Sequence, residues 1–155
     1  MDLTRPWSNS GRRYHRVLLD APCAGLGVLR RHPEALVRRT PADLPALAAK
    51  QSRMLETLAP LVLPGGSLTY SVCTFDRVEC EAVVEAFLRA HPSFRIEPAT
   101  GDISVGQVSA TPTGVPWTAL TDAADFVRTW PQHHDADAFF AVRLRKQPTA
   151  SPEVG

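Results

Sequence analysis

Apolar and polar positions along this chain fall into two periods, and the period switches several times. Arg16-Val17-Leu18-Leu19-Asp20 is a short apolar run closed by a carboxylate, the pattern of a short buried strand. Ala21 to Gly27 follows, where one proline and two glycines demand a loop. Leu44, Leu47, Ala48, Gln51, Leu55, Leu58 and Val62 then recur at helical spacing, with Asp43 as N-cap, Pro45 tolerated in the first turn and Pro60 ending or kinking the helix. Pro64-Gly65-Gly66 reads as a turn, and Ser67 to Val72 as a strand rich in β-formers. Asp76 and Glu79 are spaced as a capping box ahead of a helix whose apolar face is Val83, Val84, Phe87 and Leu88, stopped by His91-Pro92. Phe94 to Glu97 is a short strand, residues 99–127 an irregular excursion, and Ala138 to Leu144 a last strand.

Strand, helix, strand, helix, strand, strand is the order of an α/β layered sheet. Ligands of such sheets sit at the carboxyl ends of parallel strands. Asp20 closes one strand and Cys73 follows the next, so parallel neighbours would bring both to one crevice. The expected organisation is a polar segment at 1–15, a catalytic unit at 16–146 and a disordered tail at 147–155.

Composition narrows the class. At 155 residues, 44% hydrophobic and 21% charged, the chain suits one globular domain and excludes a fibrous or wholly disordered one. No apolar run approaches the ~18 residues of a membrane span. Three cysteines, an odd number, form no disulfide framework, and a reducing cytoplasm is the expectation. The net charge of +1 conceals an asymmetry: residues 1–39 hold eight arginines against three acidic residues, and the remainder nine basic against thirteen acidic. Arg30, Arg31, Arg38 and Arg39 could meet phosphates, or form no more than a solvated face.

The candidate chemistry lies in Cys23, Cys73 and Asp20. A cysteine thiolate at a strand end suits nucleophilic attack on an electron-poor ring. Any one of these cysteines taken alone reads equally as a small buried hydrophobe, and Cys80 is assigned a structural role. Tyr14, Trp117 and Trp130 could stack on bases or simply pack. His133, His134, Asp135 and Asp137 lack the usual spacing of a zinc site, so no metal is expected.

Several motifs in the same order add specificity. Asp20-Ala21-Pro22-Cys23-Ala24-Gly25-Leu26-Gly27 resembles the D-A-P-C-S-G-x-G signature of the RsmB/Nop/Sun family of RNA cytosine-5 methyltransferases. Arg30-Arg31-His32-Pro33-Glu34 resembles its R-x-P-[DE] stretch, and Pro64-Gly65-Gly66 with Tyr70-Ser71-Val72-Cys73-Thr74 its P-G-G…Y-S-T-C-T segment. Glu79-Cys80-Glu81 stands where the family has E-N-E. Arg128…Pro131…His134…Asp137-Ala138-Phe139-Phe140 resembles its closing motif. Ala24, Val72, Gln132 and Ala138 depart from the pattern; Ala138, in place of glycine, demands a backbone that accepts a Cβ.

The resemblance implies the C-terminal half of a Rossmann-like, S-adenosylmethionine-dependent methyltransferase sheet whose last strand inserts antiparallel. It implies Cys73 as the nucleophile that adds to the cytosine ring and Cys23 as the thiol that assists product release. Asp20 would lie where base and cofactor meet, Pro22 would shape the loop against the base, and Arg30 and Arg31 would contact RNA. Asp2 stands where the family has an acidic cofactor contact. The implied substrate is RNA, ribosomal RNA being the commonest. No glycine-rich cofactor turn precedes Asp20, so a completing N-terminal half or self-association is expected. A non-catalytic RNA-binding remnant using the Arg-rich face is the competing reading.

Overall fold

A computed structural model describes residues 11–34, 37, 40–98 and 117–148. Strand β1 (Tyr14–Asp20) leads through a loop to helix α1 (Asp43–Leu58) and strand β2 (Val62–Val72). Helix α2 (Glu81–Ala90), strand β3 (Phe94–Glu97), strand β4 (Val127–Thr129), the single turn α3 (Pro131–His134) and strand β5 (Phe139–Lys146) follow. The sheet order is β1-β2-β5-β3, and β4 also pairs with β5. β1 and β2 run parallel, with Asp20 opposite Ser71. β5 is antiparallel to β2 on one side and to β3 and β4 on the other. The last strand is therefore inserted antiparallel, as the resemblance implies.

The alternation of side chains fixes which face is buried. Leu19, Tyr70 and Val142 lie in one row across the three central strands and are all buried. Leu18, Thr69 and Arg143 form the neighbouring row and point the other way. Helices α1 and α2 cover the first face with Leu55, Leu58, Val83, Val84 and Phe87. The apolar stripe on each helix is the one its spacing predicts.

Several local expectations are corrected. β1 is not a buried strand: Leu19 is its one buried residue, and Leu18 is 69% exposed. β1 pairs with β2 alone, so one edge and one face lie open among the described residues. Pro64-Gly65-Gly66 is not a turn before a strand but an irregularity inside β2. Val62 pairs with Tyr14, and the ladder resumes at Ser67 opposite Arg16. Gly65 takes φ +74°, and a Cβ on Gly66 would lie 2.8 Å from the His15 carbonyl oxygen. Val62 thus belongs to β2, because α1 stops at Leu58 and a tight turn containing Pro60 follows.

Asp43 is not the N-cap but the first helical residue, accepting the Thr40 N–H (2.8 Å) and hydroxyl (3.1 Å). Asp76 and Glu79 form no capping box. Asp76 accepts the Val78 N–H at 2.8 Å, while Glu79 turns inward and its helix starts only at Glu81. Two short elements, β4 and α3, lie where loop was expected; β4 pairs with β5, and Arg128 within it reaches Glu81. Most of the 99–127 excursion, Asp2, Arg38, Arg39 and the tail from residue 149 lie outside the described residues. Among the described residues no helix is long and apolar enough to cross a membrane.

Candidate active site

The parallel register of β1 and β2 places their carboxyl ends side by side. The loop after β1 is pinned at once, because the Ala21 N–H donates to the Ser71 carbonyl at 2.9 Å. Gly25 supplies a left-handed φ of +74° and opens a tight turn at Leu26–Val28. Gly27 then stitches three segments together. Its N–H donates to the Cys73 carbonyl at 2.9 Å, and its own carbonyl accepts the Ala138 N–H at 2.9 Å. A Cβ on Gly27 would lie 1.9 Å from the Ala138 oxygen, so no other residue fits without moving backbone. Ala138 itself is buried and carries no positive φ, so a residue with a Cβ is accommodated there.

This stitching brings Cys23 and Cys73 together, their Sγ atoms 3.3 Å apart and both half-buried. The two thiols are not equivalent. The hydrogen bond from Cys23 holds the Cys73 thiol down at about 7, against the opposing pull of burial and of Asp20 and Glu79. Cys23 is pushed far up, first because its proton is held in that bond and then by burial. Cys73 is thus the more readily ionised of the two, beside a neighbour that keeps its proton. Asp20 lies at the end of β1, where its carboxylate accepts the Ser71 hydroxyl at 3.2 Å.

Beneath the loop lies a buried polar cluster that motif reading did not single out. Glu79 is fully buried, and its two carboxylate oxygens accept the Ala24 N–H at 3.1 and 3.2 Å. Gln51, also fully buried, donates to Glu79 at 2.8 Å and to the Pro22 carbonyl at 3.0 Å. The Tyr70 hydroxyl donates to the Glu79 backbone oxygen at 2.6 Å. Gln51 is the one polar position in the apolar stripe of α1, which is the sequence signal for this cluster. Cys80 is buried with its thiol pushed up to about 12 by burial and directed at the Thr74 carbonyl, as its structural assignment expects. Phe75, 43% exposed and two residues past Cys73, packs against Trp130 at 5.9 Å between ring centroids.

The arginines expected to contact RNA are engaged within the chain. Arg30 pairs with Asp135 at 2.8 Å, and Arg31 pairs with Asp137. These ion pairs tie the segment after β1 to the approach to β5. His134 accepts the Trp130 N–H at 2.9 Å through Nδ1. His134, Asp135 and Asp137, which lack the spacing of a zinc site, thus hold this junction together.

The sheet carries a close pair of thiols at its parallel strand ends, and its fold is that of solved methyltransferase structures. The archaeal structure described as NSun6 from Pyrococcus horikoshii with SFG superimposes with a TM-score of 0.70 at 27% identity, covering 96% of this chain and 34% of its own. Another, the structure of PH0851, gives a TM-score of 0.68 at 30% identity over 85% of this chain and 26% of its own. The ribosomal RNA small subunit methyltransferase B of Thermus thermophilus is 52% identical over 97 residues, which is 63% of this chain and 24% of that protein. A probable enzyme of the same name from Synechocystis is 39% identical over 131 residues, or 84% of this chain and 27% of that one. The chain belongs to the family described as 16S rRNA methyltransferase RsmB/F, which matches residues 1–145. It spans about a quarter of the length of these curated relatives.

Proposed function

We propose that this chain is the nucleophile-bearing segment of an S-adenosylmethionine-dependent RNA cytosine-5 methyltransferase acting on ribosomal RNA. The observation that carries the reading is the Cys23–Cys73 pair, 3.3 Å apart at the ends of β1 and β2, with Cys73 held down at about 7. Carbon 5 of cytosine is a poor nucleophile until a thiolate adds to carbon 6. Cys73 supplies that thiolate, and Asp20, at the end of β1, would hold the edge of a base turned out of its stack. S-adenosylmethionine, when bound, supplies the electrophilic methyl group that carbon 5 attacks. A base must then take the carbon 5 proton, its electron pair restoring the 5,6 double bond as the Cys73–carbon 6 bond breaks and sulfur leaves as thiolate. Cys23, whose thiol donates to the Cys73 sulfur, stabilises the departing thiolate.

Asp20 offers a carboxylate at the end of β1, beside the open edge of that strand, for one wall of a cofactor site, and Asp2, by the resemblance alone, would add an acidic contact. A completing half would pair with that edge, where Leu18 is 69% exposed. In sedimentation, the chain alone is expected to be folded and self-associated through that open side until completed; a cooperative monomer would remove this element of the proposal.

The test is covalent capture. With cofactor and a completing half, RNA carrying 5-fluorocytosine should form an adduct on Cys73 that Cys73→Ala abolishes. A complete assembly that gives no adduct refutes the proposal. The competing reading is an RNA-binding remnant, in which Arg30 and Arg31, both more than half exposed beside their acidic partners, meet phosphates. Salt-sensitive, cofactor-independent RNA binding that survives Cys73→Ala would favour it.

A further inference from the structure

The proposed mechanism uses Cys73, Cys23 and Asp20 but gives no task to Glu79, the fully buried carboxylate behind them. An ionisable side chain in that position is costly unless its contacts hold something in place. Its contacts converge on one residue. Glu79 accepts the N–H of Ala24, immediately after Cys23, and Gln51 donates to the carbonyl of Pro22, immediately before it. The two side chains also bond to each other at 2.8 Å. Cys23 is therefore held by the peptide groups on both sides, from helix α1 and from the turn leading into α2. The Gln51 amide cannot be reversed, because its oxygen would then face two acceptors.

Accepting that Cys23 and Cys73 act as a pair, we propose that Glu79 is a positioning residue that, together with Gln51, holds the Cys23 loop so that the Cys23 thiol stays in hydrogen-bond reach of Cys73. Glu79 does not touch the reacting atoms. It acts through the Ala24 peptide, and a negative charge alone in its place would have the opposite effect on Cys73. The charged and titratable groups acting on Cys73 are Cys23, Asp20 and Glu79, and the last two disfavour its thiolate. Loss of the Glu79 charge with the loop intact therefore lowers the Cys73 midpoint. Loss of the loop geometry raises it, because the Cys23 hydrogen bond is the strongest influence there.

The experiment follows iodoacetamide alkylation of Cys73 against pH in the 155-residue chain, resolved by peptide mass spectrometry. Glu79→Met keeps the approximate volume and removes the acceptor, and Glu79→Gln removes the charge but keeps an acceptor oxygen. The midpoint is expected to rise by about 1 pH unit or more in Glu79→Met, toward a free thiol. In Glu79→Gln it stays at or below the wild-type value. A folded Glu79→Met variant whose midpoint is unchanged or lower overturns the proposal. If that variant does not fold, hydrogen exchange of the wild-type Ala24 amide decides: slow exchange is required, and exchange at the rate of an open loop refutes it. The readout uses neither RNA nor cofactor. Its failure leaves the assignment of Cys73 as nucleophile standing, and failure of 5-fluorocytosine capture leaves this positioning role standing.

Discussion

Replacing Cys23 by alanine should change the reactivity of Cys73 in a way that can be worked out in advance. The Cys23 thiol, 3.3 Å away, is the main reason that Cys73 ionises at about 7 instead of its ordinary 9.0. Without that donor Cys73 should return to about 9 or above, since burial, Asp20 and Glu79 all oppose its thiolate. At pH 7 the thiolate fraction then falls from about a half to about one in a hundred, a roughly 50-fold loss. The remaining thiolate is more basic and intrinsically faster, by roughly 8-fold for two pK units at a Brønsted slope near 0.45. The net expectation for Cys23→Ala is alkylation of Cys73 about 6-fold slower at pH 7 and about 8-fold faster on the alkaline plateau. The two rate profiles should therefore cross between pH 7 and pH 9. Stopped-flow alkylation with peptide-resolved mass spectrometry from pH 5 to pH 10 measures this. A Cys23→Ala protein that keeps a midpoint near 7 would show that the thiol pair is not what activates Cys73.

Three further outcomes follow from the geometry. Gly27→Ala should cost about 3 kcal/mol, because a Cβ 1.9 Å from the Ala138 oxygen must disrupt both buried backbone hydrogen bonds that Gly27 makes; a urea midpoint within about 0.3 M of wild type would contradict this. Arg128→Met should cost about 2 kcal/mol, since Arg128, largely buried, pairs with Glu81 and with Asp122 (3.0 Å) and lies 4.8 Å from the Phe140 ring centroid; thermal unfolding at constant pH reads the loss, and an unchanged midpoint denies the cluster a structural role. Leu18→Glu should suppress self-association at the open side of β1, where Leu18 is 69% exposed, and so lower the mass seen in sedimentation; an unchanged distribution of species would mean that Leu18 lies outside the contact.

Features of the site that depend on local sequence were legible from the residues alone. Asp20 and Cys73 stand at neighbouring strand ends because two apolar runs stop there, and Gly25 and Gly27 occupy positions where backbone geometry permits little else. Features set by distant partners were not legible. Glu79 has the spacing of a capping residue, yet its carboxylate goes to Ala24, 55 positions away. The bulge at Pro64–Gly66 forms because Val62 finds Tyr14, a pairing that no local window contains. β1 has the composition of a buried strand and is open because burial depends on what lies beside it. Arg30 and Arg31 read as a basic surface until Asp135 and Asp137, more than a hundred positions later, are brought against them.

The placement of β5 also governs when this sheet can form during synthesis. Among the described residues β3 has no sheet neighbour other than β5, and β5 covers the second edge of β2. Both wait on residues 139–146, among the last of the described chain to leave the ribosome. Until then, of the described elements, the parallel β1–β2 pair and its two helices can assemble, with the edge of β2 that β5 will cover exposed and able to capture another nascent strand. A frameshift or proteolytic cut that removed β5 would therefore disrupt the middle of the sheet rather than trim its margin. Arrested chains ending before Phe139 should be protease-sensitive throughout β3, and release of eight more residues should protect it in one step.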